Sequence, residues 1–405
     1  MIATITPGRA EGSVSAPPSK SMAHRLLICA GLARGRSRIS GVDMNQDVLA
    51  TIDCLRALGV SCRAEGDVVT VEGGGDLRPL QTLHCRESGS TLRFFIPLAL
   101  LGQELATFTG TKKLLSRPLQ VYEDLCRRQA LEFYRAEDRV QVRGPLRPGE
   151  FTVPGDISSQ FITGLLLALP LLADHSRIRI TPPVESRSYI LLTLQAMAQF
   201  GVRARWEDEY TLSIPGGQHY QARDLTVEGD YSGAAFYGAL NALGGDVRVT
   251  GLLPESLQGD KVYKEHFERL LAGRPTIHIG DCPDLGPVLF AVAAAKQGGI
   301  FTGTGRLKIK ESDRAAVMAQ ELAAFGTEVT VKEDEVHILP KAFHPPNNPC
   351  FGHNDHRIVM SLAVLMTLTG GSIRGAEAVS KSFPDFFDRL RALGIEVTLD
   401  ETDEG

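Results

Sequence analysis

The sequence predicts an α/β protein of two domains with apolar helices sheltered inside and sheets outside, an inverted arrangement rather than a doubly wound sheet. Three observations predict it. At 405 residues the chain exceeds one ordinary core and suits two. Six strongly apolar helical stretches recur, each opened by small polar residues: "SKSMAHRLLICAGLA", "ESGSTLRFFIPLALL", "SSQFITGLLLALPLL", "YSGAAFYGALNAL", "PDLGPVLFAVAAA" and "NDHRIVMSLAVLM". Between them a second signal alternates, a helix ending in an aliphatic or aromatic residue, then Gly, then a strand.

The elements follow in order. The apolar stretches start roughly 70 residues apart, with one interval near 53. Being apolar nearly all round, they read as interior helices. The second signal appears as "LRALGV" at Leu55, "MAQFGV" at Met197, "LAAFGTEV" at Leu322 and "LRALGIEV" at Leu390. Weaker versions are "LCRRQALEF" at Leu125 and "RLLAG" at Arg269. Glycine there takes the left-handed conformation that ends a helix. Each unit therefore reads strand, buried helix, strand, amphipathic helix, strand over about 65 to 70 residues. Six units divide into three and three. No low-complexity linker separates the halves, so the chain is expected to cross tightly near "ARDLTVEGD" (222–230).

Composition narrows the function. A net charge of -5, one Trp and 6% aromatic residues argue against a nucleic-acid surface. Seven scattered Cys residues read as reduced thiols. "MIATITPG" alternates like a strand and lacks the apolar core of a signal peptide. The longest apolar run, "FITGLLLALPLLA", spans 13 residues and contains Pro170, short of the roughly 20 that a membrane crossing needs. A cytoplasmic protein with no nucleic-acid or membrane partner is expected.

The helix starts carry the chemistry. Lys20, Ser21 and Arg25 crowd the first turns of an apolar helix, where cations are mildly disfavoured. Helix N-termini favour anions, and cations among them are tolerable if an anionic ligand joins them. Other motifs read as bland. "GTGR" (303–306) fails to complete a dinucleotide fingerprint, since position 308 is Lys. Cys350, His353 and His356 have a zinc-like spacing without a fourth ligand nearby. Cys282 reads as buried packing.

Nine segments in order, "PPSKSMAHR", "ESGSTLRF", "SRPLQVYEDL", "GDISSQF", "ESRSYI", "PDLGP", "KIKESDR", "NDHR" and "SKSFPDFF", resemble the 5-enolpyruvylshikimate-3-phosphate synthase family from about residue 6 to 395. The resemblance implies a two-domain inside-out α/β barrel with three βαβαββ repeats in each domain. Residues 1–18 with 227–405 would form one domain and 19–226 the other, with the active site in the cleft between them. It also implies transfer of the enolpyruvyl group of phosphoenolpyruvate to the 5-hydroxyl of shikimate 3-phosphate, with loss of phosphate. No metal, no organic cofactor and a monomer are expected.

The chemistry needs fixed cations, because the two substrates bring two phosphates and two carboxylates together. Among the matched positions are Lys20, Arg25, Arg93, Arg117, Lys310, Arg314, Arg357 and Lys381, and arginine's fork suits carboxylate and phosphate. By resemblance, Lys20, Gly89, Arg117, Gln160, Arg314, His356, Arg357 and Lys381 would hold phosphoenolpyruvate. Lys20, Ser21, Arg25, Ser158, Ser159, Gln160, Ser186, Tyr189, Asp284 and Lys310 would hold shikimate 3-phosphate. The catalytic candidates are Asp284, as base toward the hydroxyl, with Glu311 and Lys20 handling protonation of the methylene and the leaving group. The plain alternatives are a helix N-cap for Asp284 and a surface helix position for Glu311.

A sister enzyme acting on UDP-N-acetylglucosamine shares the chemistry, but the loop "GTKKLLSRP" lacks the Cys usual there. A non-catalytic RNA-binding repeat protein is disfavoured by the acidic charge. Several positions depart from the family's common pattern: Glu87 for Asn, Ser90 for Thr, Phe94 for Pro and Arg306 for Asn. Gly89 is retained, which leaves room for the inhibitor glyphosate, and inhibition is expected.

Overall fold

The computed structural model describes residues 1–75 and 77–401. The chain divides into two compact units, one running Pro18–Glu228 and the other comprising Met1–Pro17 and the chain from Gly229 onward. At the crossings, the Ser19 amide donates to the Glu228 carbonyl (2.8 Å), and the Asp230 amide donates to the Pro17 carbonyl (2.7 Å).

The unit Pro18–Glu228 carries helices α1 (Lys20–Leu32), α2 (Gln46–Ala57), α3 (Gly89–Ala99), α4 (Lys112–Ser116), α5 (Gln120–Gln129), α6 (Ser159–Ala168) and α7 (Arg187–Gln199). Helices α1, α3 and α6 are the apolar stretches of the sequence and are buried on nearly every face. Three four-stranded sheets accompany them. In each, one parallel pair is extended by an antiparallel hairpin, as where Glu150–Pro154 pairs in parallel with Ser176–Thr181 and Thr211–Ile214 runs antiparallel. Alternation puts Ile178 and Ile180 inward and Arg177 and Arg179 outward, which is what a half-buried strand requires.

The second unit carries α8 (Tyr231–Ala242), α9 (Tyr263–Ala272), α10 (Gly286–Ala295), α11 (Arg314–Ala323), α12 (His356–Thr369) and α13 (Phe386–Ala392). Every residue of α10 from Gly286 to Ala294 is buried. Each unit holds its own apolar core. The strand Ile2–Ile5 sits between Gly371–Arg374 and Val397–Asp400, antiparallel to both. The N-terminal residues therefore complete a sheet built mainly by the C-terminal ones.

One expectation fails. The six modules are not equal, because the one built on α8 keeps only a two-stranded sheet, Glu11–Ser15 parallel to Asp246–Thr250. Only Gly273, Arg274 and Pro275 separate α9 from the next strand, Thr276–His278. The two antiparallel strands that complete each four-stranded sheet have no counterpart here among the described residues, and this accounts for the interval near 53 residues.

The helix-ending glycines behave as their sequence context predicts. Gly59, Gly201, Gly326 and Gly394 have φ of 89°, 81°, 76° and 88°. In one of the two weaker copies, the one that ends α5, the position is Ala130, at φ 55°. A left-handed L-residue costs about 1–2 kcal/mol, so Ala130→Gly should stabilise the unit by up to about 1 kcal/mol once the freedom glycine adds to the unfolded chain is subtracted. Urea denaturation checks this, and a lowered midpoint would contradict it.

Candidate active site

Five of the six interior helices are started by a side-chain cap. Ser19, Ser88 and Ser158 cap α1, α3 and α6, accepting from the amides of Met22, Thr91 and Gln160. Asp230 caps α8 and Asp355 caps α12. These five caps satisfy some of the orphan amides at the helix starts. Helix α10 differs. Its start is the 3₁₀ turn Pro283–Leu285, and Asp284 within that turn makes no cap. The alternative reading of Asp284 as a cap is thereby set aside.

In the unit Pro18–Glu228, three groups of predicted residues come together. Arg93 donates from Nη1 to Gln160 Oε1 (2.6 Å) and from Nη2 to the Pro118 carbonyl (3.1 Å). Gln160 Nε2 donates to Ser90 Oγ (3.0 Å). Arg117 lies against this pair, since a Cβ added at Gly89 would come within 2.8 Å of its Nη1. Its Nε is buried without a hydrogen-bond partner.

The second group surrounds Arg25, only 3% exposed. It donates to Thr193 Oγ1 (2.9 Å), the Ser21 carbonyl (2.6 Å), Thr163 Oγ1 (3.3 Å) and the Tyr189 carbonyl (3.1 Å). Its guanidinium lies 5.3 Å from the Phe94 ring centroid and 6.0 Å from that of Tyr189. Burial lowers its pKa to about 10. Phe94, one of the departures, is thus a platform for Arg25. Ser186 starts α7 at φ 54°, a left-handed conformation that a non-glycine residue holds only when its surroundings impose it.

The third group is Lys20 with Asp47, Nζ to Oδ2 at 2.7 Å. Beside it, His24 Nδ1 bonds Thr51 Oγ1 (2.7 Å), Thr51 bonds Thr91 (2.9 Å) and Thr91 donates to Ser88 Oγ (2.7 Å). This buried chain ties α1 and α2 to the start of α3. Burial, then Lys20 and Arg25, hold the His24 pKa well below its ordinary value, so it serves as a neutral link.

The second unit gathers the other predicted residues into one cluster centred on Arg314, 1% exposed. Its Nε donates to Asp355 Oδ2 (2.9 Å), Nη1 to Asp284 Oδ1 (2.8 Å) and Nη2 to Glu311 Oε2 (2.6 Å). Lys310 Nζ stands 3.3 Å from Asp284 Oδ1 and Arg357 Nη2 3.5 Å from Asp284 Oδ2. Burial disfavours the charge on Arg314, yet Asp355, Glu311 and Asp284 outweigh it and raise its pKa. For Lys310 burial wins and lowers the pKa. His356, 2% exposed, opens α12 beside Asp355. Lys381 donates to the Asn354 carbonyl (2.7 Å). Glu311 falls between the turn Gly305–Ile309 and α11, not on a helix surface as its plain alternative had it. Arg306 is buried in that turn.

The expectation that these cations await charge from ligands needs correcting. Lys20 and Arg314 already have protein carboxylates, because a cation held out of water is costly without a partner. Asp47 and Asp355 were missed as partners; their signals were weak, Asp47 in the first turn after Asn45 and Asp355 before "HR" at a helix start. Cys282 is buried as expected, its Sγ 3.8 Å from His266 Nε2. His353 binds Glu321 (2.7 Å), and among the described residues no group of three or more His, Cys, Asp or Glu could hold a metal ion. Among them also, no helix is long and apolar enough to cross a membrane.

A family model described as EPSP synthase (3-phosphoshikimate 1-carboxyvinyltransferase) matches residues 5–390. A 3-phosphoshikimate 1-carboxyvinyltransferase of Clostridium kluyveri is 40% identical over 418 residues, covering 97% of both chains. One from Clostridioides difficile is 38% identical over 423 residues, covering 96% of this chain and 97% of the other. Among solved structures, EPSP synthase from Acinetobacter baumannii aligns with a TM-score of 0.79 at 24% identity, covering 98% of this chain and 100% of that one. The enolpyruvyl transferase NikO from Streptomyces tendae gives 0.78 at 14% identity and 98% coverage of each. At these identities the structural likeness is one of fold.

Proposed function

The chain belongs to the EPSP synthase family, and from that premise we propose that it transfers the enolpyruvyl group of phosphoenolpyruvate to the 5-hydroxyl of shikimate 3-phosphate, releasing phosphate. The observation that carries the reading is the Arg314 cluster. Two acid–base candidates, Asp284 and Glu311, are held on one buried guanidinium that Asp355 anchors from its other edge.

In the proposed reaction Asp284 accepts the proton of the 5-hydroxyl as its oxygen bonds to the central carbon of phosphoenolpyruvate. Glu311 and Lys20 share delivery of a proton to the methylene carbon. The tetrahedral adduct then returns a proton from its methyl group to the Glu311–Lys20 pair, and its carbon–oxygen bond to phosphate breaks, with the bonding pair leaving on phosphate, whose protonation balances the hydroxyl proton taken by Asp284. No bond to phosphorus changes. Arg117, Gln160, Gly89, His356, Arg357, Lys381 and Lys20 would hold phosphoenolpyruvate together with Arg314. Ser21, Arg25, Ser158, Ser159, Ser186, Tyr189 and Lys310 would hold shikimate 3-phosphate. The unpartnered Nε of Arg117 supports the first assignment, since a buried donor without an acceptor costs roughly 1–3 kcal/mol that an anion would recover.

Incubation with both substrates should release phosphate, and substituting UDP-N-acetylglucosamine as acceptor should not. Release only with the sugar nucleotide would overturn the reading. Gly89→Ala should leave the fold intact while pressing on the Arg117 guanidinium, the movable end of a long side chain. Loss of one good contact to a charged group is about 1.5–3 kcal/mol, so the KM for phosphoenolpyruvate should rise at least about tenfold with a smaller change in kcat. An unchanged KM in steady-state assays would remove Arg117 from the phosphoenolpyruvate set.

A further inference from the structure

One buried carboxylate in the second unit has no part in the reaction as written. Asp260 lies in the 3₁₀ turn Gly259–Val262, is 5% exposed, and its Oδ1 is buried without a hydrogen-bond partner. The residue before the turn is itself tied down. Gln258 Nε2 donates to the Gly229 carbonyl (2.8 Å), its Oε1 accepts from the Tyr231 amide (2.9 Å), and its amide donates to Ser256 Oγ (3.2 Å).

The groups that face Asp260 come from four other segments. They are Asp284 and Cys282 at the start of α10, Arg357 on α12, Asp230 capping α8, and Lys310 before α11. Asp230 spends its oxygens on the Ser232 and Gly233 amides. Neighbouring Lys261 turns its Nζ to the carbonyls of Pro254 and Ser256. Arg357 and Lys310 are thus the cations that compensate Asp260, and both also face Asp284. Burial first, then the like charge of Asp284, push the Asp260 carboxyl up to about 7, against the pull of Arg357 and Lys310.

We propose that Asp260 is a positioning residue that takes up one proton when the anionic substrates bind, and that its ionised form weakens their binding in alkaline solution. The inference rests on the reaction proposed above, which gives Arg357 and Lys310 to those anions. A phosphate or carboxylate engaging these cations withdraws their compensation from Asp260, so its neutral form gains. By the same coupling read in reverse, an ionised Asp260 opposes the ligand. The proton comes from solvent, rests on Asp260 while the ligand is bound, and is not consumed in turnover.

The test titrates shikimate 3-phosphate calorimetrically at about pH 8 into wild type and Asp260→Asn, in two buffers of different ionisation enthalpy. Wild type should take up more protons than the variant, by up to about one per ligand bound. The ligand's own phosphate contributes equally to both and cancels in the difference. Steady-state kinetics supply a second readout. Above neutrality the wild-type KM for phosphoenolpyruvate should rise by up to about tenfold per pH unit, the limit for one linked proton, while the variant stays flat and kcat near neutrality is kept. Turnover with equal proton uptake in the two proteins would overturn the role of Asp260 alone. Wild type that neither binds shikimate 3-phosphate nor releases phosphate would overturn the reaction, and this inference with it. Should Asp260→Asn fail to fold, wild type decides by itself: no net uptake at about pH 8 overturns the proposal.

Discussion

Lys20→Met is expected to lower kcat by about 10²–10⁴-fold, the usual worth of a positioned proton-transfer group, while the protein remains folded. Lys20 opens α1 directly after its cap Ser19, and the first turn contains no acidic residue. Methionine keeps the unbranched stem and suits a helix as well as lysine does. The stability cost should be about 1–3 kcal/mol, because the lost partner, Asp47, is left as a carboxylate with only 15% side-chain exposure. The kinetic cost is expected to be large because, in the proposed reaction, the ammonium serves both charge and proton transfer. Phosphate-release assays and a thermal melt on the same preparation decide the matter. A variant within about threefold of wild-type kcat would exclude Lys20 from the chemistry.

Asp355→Ala should destabilise its unit by about 3–5 kcal/mol, the cost of breaking a buried ion pair from one side. Asp355 is fully buried. Its Oδ2 accepts from Arg314 Nε and Ser312 Oγ, each at 2.9 Å, and its Oδ1 accepts from the Arg357 amide at 3.0 Å. Alanine would strand the Nε of a guanidinium only 1% exposed and remove the cap of α12. The pH dependence follows. Burial disfavours its charge, yet Arg314 holds the Asp355 carboxyl below its ordinary value. A lowered folded-state pKa contributes stability that is complete above the ordinary value of 3.8 and disappears as pH falls through the lowered one. The variant should therefore lose stability at neutral pH and show a shallower acid transition. Urea melts at neutral and acid pH test both statements. A neutral-pH midpoint equal to wild type would show that Arg314 needs no anchor.

The legible parts of the fold are those written locally. The six interior helices could be read because a helix buried on all sides must be apolar on all sides, and five of them begin at a cap. Four amphipathic helices could be placed by the glycine that ends them, whereas Ala130 blurred the fifth by holding the same backbone without the signal. The shortened module showed only as an interval near 53 residues, since a missing hairpin leaves no motif. The cations of the site were visible in their spaced motifs, but their carboxylate partners were not. Asp355 lies 41 residues from Arg314 and Asp47 lies 27 from Lys20.

By itself the sequence determined the buried helices, their polar starts, and the supply of arginines and lysines gathered there, because periodicity and capping act within a few residues. Only the tertiary structure decided which charge meets which. Arg314 is neutralised by three carboxylates, Lys20 by Asp47, and Asp260 is left with a bare oxygen. Pairing of buried charge depends on distances between elements that come together only when the chain folds, and no local pattern encodes those distances.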